Sequence, residues 1–228
     1  MSLSSLNREI VACCRCPRLV EHCASVAAVK RRAWNDWKYW GKPVPSFGDP
    51  KARLLIVGLA PGAHGANRTG RMFTGDRSGE FLYRALHRAG FASQPDSKSI
   101  DDGLTLKDAW ITAPCHCAPP DNKPLPEELR NCRPYLEREF EIFTKPGKGT
   151  ARLVIALGRI AFDTCLSVMK LRRSQFAFGH GVLHENVSPK LLCSYHPSQQ
   201  NTSTGKLTQE MLDDVFLLAA SLISDDPH

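Results

Sequence analysis

The chain has 228 residues, 42% of them hydrophobic, and carries a formal net charge of +7 at pH 7. This length allows one large domain or at most two small ones, and the apolar content is enough for a substantial core. No apolar run reaches the roughly eighteen residues of a membrane span, and the N-terminal segment lacks the regions of a signal peptide. We therefore expect a cytoplasmic protein without a membrane partner. The positive charge favours a nucleic-acid partner, with a merely solvated basic surface as the alternative.

Strand and helix patterns alternate along the chain after a helical stretch at 3–29 and an irregular, basic and aromatic stretch at 30–50. Four short apolar runs predict buried parallel strands at 53–59, 109–113, 152–157 and 190–195. Amphipathic spacing predicts helices at 78–89, 126–143, 158–170 and 207–223. The alternation indicates an α/β fold with a parallel sheet between two layers of helices.

Three loops of unusual composition follow the first, second and fourth predicted strands. They contain GLAPGAHGANRTGRMFTGD at 58–76, PCHCAPPDNKPLP at 114–126 and HPSQQNTSTGK at 196–206. Ligands of parallel sheets bind beyond the carboxyl ends of the strands, so the three loops should converge on one site. Glycines are costly in such a loop unless the backbone bends sharply or approaches a ligand closely.

The chain contains nine cysteines, and a disulfide framework is not expected in a reducing cytosol. Cys13 and Cys16 form a C-x2-C pair, while Cys117 and Cys132 are separated by fourteen residues and lie among prolines and charged residues. Four thiolates suit either zinc or an iron–sulfur cluster, and the spacing leaves both open. The alternative ligands are Cys14, Cys23 and Cys115. Two cysteines in apolar segments are expected to be ordinary buried thiols, namely Cys165 and Cys193.

The three loops together resemble the signature segments of the uracil-DNA glycosylase superfamily, in particular its family five, the broad-specificity iron–sulfur branch called type B. The resemblance extends over nearly the whole chain. It implies a three-layer αβα fold with a central four-stranded parallel sheet, formed by residues 1–228 as a single glycosylase domain. It also implies a structural [4Fe–4S] cluster that fastens the N-terminal cysteine segment to the domain, and no catalytic metal. The implied cluster ligands are Cys13, Cys16, Cys117 and Cys132.

The implied activity is that of a monofunctional base-excision repair enzyme. It would hydrolyse the N-glycosidic bond of uracil in DNA, leave an abasic site, and act as a monomer in the cytoplasm of a bacterium or archaeon. Its partner would be DNA containing uracil or other deaminated bases. The main alternative is a non-catalytic iron–sulfur or zinc DNA-binding protein. A nucleotide-binding enzyme is weaker, because neither a P-loop nor a dinucleotide fingerprint is present.

Three loop residues are the implied catalytic groups. His196 matches the family's catalytic histidine, which can donate a hydrogen bond to the base oxygen as negative charge develops. Asp76 matches a group proposed to orient water or to stabilise the cationic sugar, and its alternative role is to cap the helix that starts near residue 78. Asn122 matches an asparagine thought to lie near the pocket, and an ordinary turn residue is the alternative.

The implied base pocket is permissive. Phe73 is expected to stack on the extruded base, although it could instead anchor the loop in the core. Ala113 stands where uracil-specific relatives carry an asparagine, and Leu59 and Ala60 stand where they carry an acid or amide. Without these groups the pocket should accept uracil, hypoxanthine and bulky adducts such as ethenocytosine. The residues expected to line the pocket are Gly58, Ala60, Gly62, Ala63, His64, Phe73 and Ala113.

Other polar loop residues are the expected DNA contacts. In the first loop, Asn67, Arg68 and Arg71 either bind phosphates or fix the loop by hydrogen bonds. In the third loop, the expected minor-groove residues are Ser198, Gln199, Gln200 and Asn201, and a plain polar surface loop is the alternative. The basic, aromatic stretch at 30–40 either adds DNA contacts or contributes its tryptophans to the core.

Overall fold

The computed structural model describes residues 2–224, which contain one six-stranded sheet. Its strands are β1 (Phe47–Gly48), β2 (Leu54–Val57), β3 (Ala109–Thr112), β4 (Leu153–Leu157), β5 (Leu183–His184) and β6 (Lys190–Ser194). Their spatial order is β1-β3-β2-β4-β6-β5. The four inner strands are parallel, whereas β1 and β5 pair antiparallel at the two edges.

The predicted parallel sheet of four strands is confirmed as the centre of this larger sheet. Every residue of β2, β3 and β4 is buried, as expected for parallel strands that are covered on both faces. In the register of the sheet, Ile56 of β2 lies beside Ile111 of β3 and Ile155 of β4. The edge strands β1 and β5 have two residues each, too few to show a sequence period from which they could be predicted.

Eight α-helices accompany the sheet in the described chain. They are α1 (Leu3–Val11), α2 (Pro17–Val29), α3 (Ala66–Thr69), α4 (Arg77–Arg88), α5 (Pro126–Thr144), α6 (Arg159–Val168), α7 (Gln199–Ser203) and α8 (Gln209–Ser224). The helical stretch predicted at 3–29 is two helices separated by the C-x2-C turn. Pro17 begins the second helix, at a position where its missing N–H is not needed.

The helices cover both faces of the sheet and give three layers. Leu54 and Ile56 of β2 pack with α4 and α8, while Leu55 and Val57 pack with α5 and α6. Successive side chains of a strand point to opposite faces, so one apolar strand contributes to two cores. The αβα architecture predicted from the sequence is therefore confirmed.

The N-terminal helices lie beside the second of these cores. Helix α1 packs on α5 through Leu6, Ile10 and Tyr135. As a result, the cysteine turn after α1 lies next to the helix that carries Cys132. Within residues 2–224, no helix is both long enough and apolar enough to span a membrane.

Candidate active site

The first and third loops meet at the carboxyl ends of β2 and β6. The ring of Phe73 lies 5.8 Å from the imidazole of His196, measured between ring centroids, at an interplanar angle of 32°. The Phe73 ring also lies against Gly58, where an added Cβ would come within 2.8 Å of its Cε2 atom. Glycine at position 58 is therefore required for the close approach of this ring to the end of β2.

Phe73 is held in an unusual backbone conformation. Its φ of 53° is in the left-handed region, which is rare for a bulky side chain. Gly79, in the first turn of α4, makes room for it, because a Cβ there would lie 1.8 Å from the carbonyl oxygen of Phe73. The ring is partly buried against the core and partly exposed. Anchoring of the loop and an accessible ring face are thus both present in one residue.

Asp76 begins helix α4 and also faces the glycines of its own loop. Its carboxylate accepts a hydrogen bond from the backbone N–H of Gly79 at 3.0 Å, so it is the N-cap of the helix. An added Cβ at Gly65 would come within 1.8 Å of its Oδ2 atom, and one at Gly62 within 2.8 Å. Burial raises the pKa of Asp76, while hydrogen bonds from the amides of Gly79 and Ser78 and the charge of Arg68 act in the opposite direction.

His196 follows β6 and is kept neutral by its surroundings. Burial lowers its pKa to about 4, so the imidazole carries no charge at neutral pH. Its backbone carbonyl accepts a hydrogen bond from Asn201 Nδ2 at 2.8 Å. Gly158 packs closely against His196, because an added Cβ at this glycine would lie 3.2 Å from His196 Cβ. No side-chain hydrogen bond to this imidazole is formed within residues 2–224, which leaves a ring N–H free to donate.

Comparison with known proteins identifies the family. Residues 45–218 match the model of the uracil DNA glycosylase superfamily. A type-5 uracil-DNA glycosylase of Mycobacterium leprae (strain TN) is 50% identical over 225 residues, which cover 97% of this chain and 96% of the relative. The chain belongs to the type-5 family of this superfamily. A type-5 uracil-DNA glycosylase of Thermus thermophilus is 47% identical over 223 residues, with 97% of this chain and 99% of the relative covered. A type-4 uracil-DNA glycosylase of Pyrobaculum aerophilum is 30% identical over 203 residues, with 87% and 84% covered.

This family membership confirms the resemblance drawn from the three loops. The remaining predicted pocket residues have different surroundings. Ala113 directly follows β3 and is buried, so no amide projects from this strand end. Ala60 packs toward Cys115 and Cys117, on the side of the cysteines. Gly62, Ala63 and His64 are partly exposed in the turn that precedes helix α3.

His64 is fixed by two aromatic neighbours. Its Nδ1 atom is 3.1 Å from the hydroxyl of Tyr39, and its ring stacks on Trp34 at 5.9 Å between centroids. Burial and nearby arginines lower its pKa. Trp34 and Tyr39 come from the stretch at 30–40, so this stretch packs against the first loop of the site.

The structure supports the loop-fixing alternative for the polar residues of the first loop. Asn67, Arg68 and Arg71 are 0%, 4% and 3% exposed, which leaves no surface for a phosphate contact in this structure. Asn67 donates to the carbonyl of Cys23 at 3.3 Å, and Arg71 pairs with Asp102 at 2.7 Å. Their charge and polarity serve hydrogen bonds within the chain, because a buried polar group needs such partners.

The polar residues of the third loop either form hydrogen bonds within the loop or are exposed. Ser198 is the N-cap of helix α7 and accepts from the backbone N–H of Asn201 at 3.3 Å. Asn201 donates to the backbone carbonyl of His196, so it fixes the third loop. Gln199 and Gln200 are exposed and stay available for the predicted DNA contact.

Asn122 lies on a turn in the loop after β3. It is exposed at the end of a 3-10 turn (Pro120–Asn122) and has a φ of 56°. Within residues 2–224 it forms no hydrogen bond or ring contact with Asp76, Phe73 or His196. In this structure Asn122 is a turn residue, and its proximity to the base pocket stays a prediction.

The four cysteines predicted as ligands line one cavity. It is lined by Cys13, Cys16, Cys117 and Cys132 together with Cys115. The backbone N–H of His116 donates to Cys132 Sγ at 3.3 Å, and Asn131 Nδ2 donates to Cys16 Sγ at 3.6 Å. Such N–H···S contacts are typical of the surroundings of thiolate ligands.

The other cysteines are distributed as their sequence context suggests. Cys165 and Cys193 are fully buried in the core between the sheet and α6, as predicted. Cys14 is exposed, whereas Cys23 is buried beside Cys117. Within residues 2–224, no three His, Cys, Asp or Glu side chains are grouped in the arrangement of a single metal ion. Sequence reasoning left Cys115 as an alternative ligand, and only the tertiary structure brings its thiol to the cavity.

Proposed function

We propose that this protein is a DNA glycosylase that hydrolyses the N-glycosidic bond of uracil and of other altered bases in DNA. The observation that carries the proposal is the position of Phe73, Asp76 and His196 on loops at one end of the sheet. The relatives that it matches along nearly their whole length are named uracil-DNA glycosylases, which supports the same activity.

Phe73 supplies the surface for the base. A base inside a duplex is inaccessible, so the enzyme extrudes it and holds it in a pocket. Stacking on an aromatic ring is worth ~1–3 kcal/mol per base and tolerates different bases. Because His196 lies beside the Phe73 ring, a base stacked there can also receive a hydrogen bond from the imidazole.

His196 and Asp76 act on the two charges that cleavage creates. The base departs as an anion, and neutral His196 donates a hydrogen bond to its oxygen as the charge develops. The sugar becomes cationic, and the carboxylate of Asp76 stabilises it and orients the water that attacks the sugar carbon. The raised pKa of Asp76 makes its carboxylate a better proton acceptor than an ordinary aspartate.

Ala113 makes the pocket permissive. A side-chain amide at this strand end would read the edge of a pyrimidine and leave unpaired polar groups against any other base. Alanine imposes no such penalty, so hypoxanthine and ethenocytosine are proposed substrates besides uracil.

The exposed Gln199 and Gln200 are proposed to enter the space left by the extruded nucleotide. The proposed active form is a monomer. It acts on DNA in the cytoplasm of a bacterial or archaeal cell.

The cysteines that line one cavity are proposed to hold an iron–sulfur cluster. Ligands of one zinc ion lie close together at the corners of a small tetrahedron, whereas cluster ligands surround a larger body. We assign Cys13, Cys16, Cys117 and Cys132 as the ligands of a structural [4Fe–4S] cluster. When bound, the cluster ties the turn after α1 to α5 and to the loop after β3, and the proposed excision chemistry needs no catalytic metal.

An excision panel tests the proposal. Oligonucleotides that contain uracil, hypoxanthine or ethenocytosine are incubated with wild type, Asp76→Asn and the surface control Asp96→Asn. Wild type and the control should cleave all three substrates. Asp76→Asn should cleave at least ~100-fold more slowly with little change in melting temperature, because asparagine caps a helix as well as aspartate.

Two outcomes would contradict the proposal. Tight binding of the oligonucleotides without release of any base would indicate a non-catalytic DNA-binding protein. Excision of uracil alone would leave the glycosylase activity intact and refute the broad specificity.

A further inference from the structure

The guanidinium of Arg68 contacts two indole rings. Its Cζ atom lies 4.5 Å from the ring centroid of Trp34 and 4.1 Å from that of Trp37. A planar guanidinium stacks well on aromatic faces, where the cation is attracted to the ring electrons. Both tryptophans come from the stretch at 30–40, which also contacts His64 through Trp34 and Tyr39.

The same guanidinium joins the two ends of the first loop. Its Nε atom donates to the carbonyl of His64 at 2.8 Å, and its Nη2 atom donates to the carbonyl of Gly75 at 2.7 Å. Phe73 lies between these two acceptors, and Asp76 is the residue that follows Gly75. One side chain therefore bridges the segment that carries the base-stacking ring and the proposed catalytic carboxylate.

The conformation of Gly75 is adapted to this bridge. Its φ is +81°, and an added Cβ would lie 2.4 Å from Arg68 Nη2. The guanidinium thus occupies space that only a glycine leaves open, in a backbone conformation that favours glycine.

We infer that Arg68, which contacts Trp34 and Trp37, is a positioning residue that sets the places of Phe73 and Asp76 in the pocket. This inference rests on the proposed function, because it presumes that those two residues act on the base and the sugar. Arg68 itself is buried, so it is not placed to contact the base or the sugar.

Arg68 also affects the charge of Asp76. The groups that act on this carboxylate are the backbone amides of Ser78 and Gly79, the guanidinium of Arg68 and the carboxylate of Glu80. Arg68 lowers the pKa of Asp76 and Glu80 raises it, so removal of the Arg68 charge should shift the titration of Asp76 to higher pH.

Two substitutions of Arg68 distinguish its geometric effect on the loop from its electrostatic effect on Asp76. Arg68→Lys keeps the positive charge but lacks the planar fork that bonds both carbonyls, whereas Arg68→Met keeps the length and removes the charge. Arg53→Lys is the matched control. Arg53 also bridges distant segments, with Asp108 and the carbonyl of Ile223 as partners at 2.8 and 3.1 Å, but it lies before β2, at the opposite end of the strand from the pocket.

The experiment measures single-turnover excision of uracil from an oligonucleotide as a function of pH, together with melting temperature. Arg68→Lys should excise ~100-fold more slowly than wild type, because a misplacement of about 1 Å in a catalytic group has an effect of this size. The acid limb of its pH–rate profile should lie at the same pH as that of wild type. Arg68→Met should show the same loss and an acid limb shifted to higher pH. Arg53→Lys should melt at a lower temperature but excise at the wild-type rate.

Asp76→Asn, measured in parallel, distinguishes the two kinds of failure. A wild-type rate in Asp76→Asn would overturn the proposed role of Asp76. A strong loss in Asp76→Asn combined with a wild-type rate in Arg68→Lys would overturn the positioning role of Arg68 alone. An unshifted acid limb in Arg68→Met would refute its electrostatic effect on Asp76.

Discussion

Replacement of Gly65 by alanine should displace the carboxylate of Asp76. The new Cβ would lie 1.8 Å from Oδ2, 2.6 Å from Cγ and 2.9 Å from Cβ of Asp76. Ordinary contact of a Cβ begins at 3.4 Å, so the oxygen must retreat by about 1.6 Å. A misplacement of about 1 Å can slow catalysis ~100-fold, and we expect at least this loss in the excision rate. The displaced carboxylate also loses its bond to the N–H of Gly79, which costs the helix cap about 1 kcal/mol.

The assay is single-turnover excision of uracil, with thermal unfolding to confirm that the variant is folded. Gly62→Ala provides a graded comparison, because its Cβ would lie 2.8 Å from the same oxygen and requires a retreat of only about 0.6 Å. Its rate should fall between those of wild type and Gly65→Ala. A folded Gly65→Ala protein that excises at the wild-type rate would refute the argument that the position of Asp76 limits the reaction.

Three further predictions concern other residues. Because burial lowers the pKa of His196 to about 4, the unfolded chain takes up a proton at this position at higher pH than the folded chain. The free energy of unfolding of wild type should therefore fall by up to ~3 kcal/mol as the pH falls from 7 toward 4. Urea unfolding at each pH should show that His196→Asn lacks this part of the loss. Ala113→Asn should keep excision of uracil and reduce that of hypoxanthine and ethenocytosine by at least ~10-fold, and equal losses on all three bases would count against the specificity argument. Cys16→Ala should lose iron, measured per chain by metal analysis and by absorbance near ~400 nm, whereas Cys165→Ala should keep it; iron retained in Cys16→Ala would remove that residue from the ligand set.

The central sheet was predictable because its strands are short apolar runs separated by helical patterns. Leu54 to Val57 and Leu153 to Leu157 are buried on both faces, and this kind of burial is visible in composition alone. The edge strands β1 and β5 were not predictable, since two residues beside a longer strand are defined only by their hydrogen-bond partners.

The loops of the site were also predictable, but the roles of their polar residues were not. Arginine and asparagine in a glycine-rich loop of a basic protein suggest surface contacts with phosphate. The structure instead buries Asn67, Arg68 and Arg71, each with hydrogen-bond partners in its own loop or in distant segments. Asn201 likewise bonds to the backbone of His196. The polarity of a side chain is known from the sequence, whereas the burial of that side chain depends on which other segments pack over it.

The sequence by itself determined the four central strands and the helices between them, the family, and the loops that carry Phe73, Asp76 and His196, because periodic patterns and spaced motifs are properties of neighbouring residues. Only the tertiary structure decided that Trp34 and Trp37 contact Arg68, and that Cys115 shares a cavity with the four predicted ligands. Those arrangements join segments far apart in the chain, and burial and hydrogen bonding between such segments are settled by the packing of the whole fold.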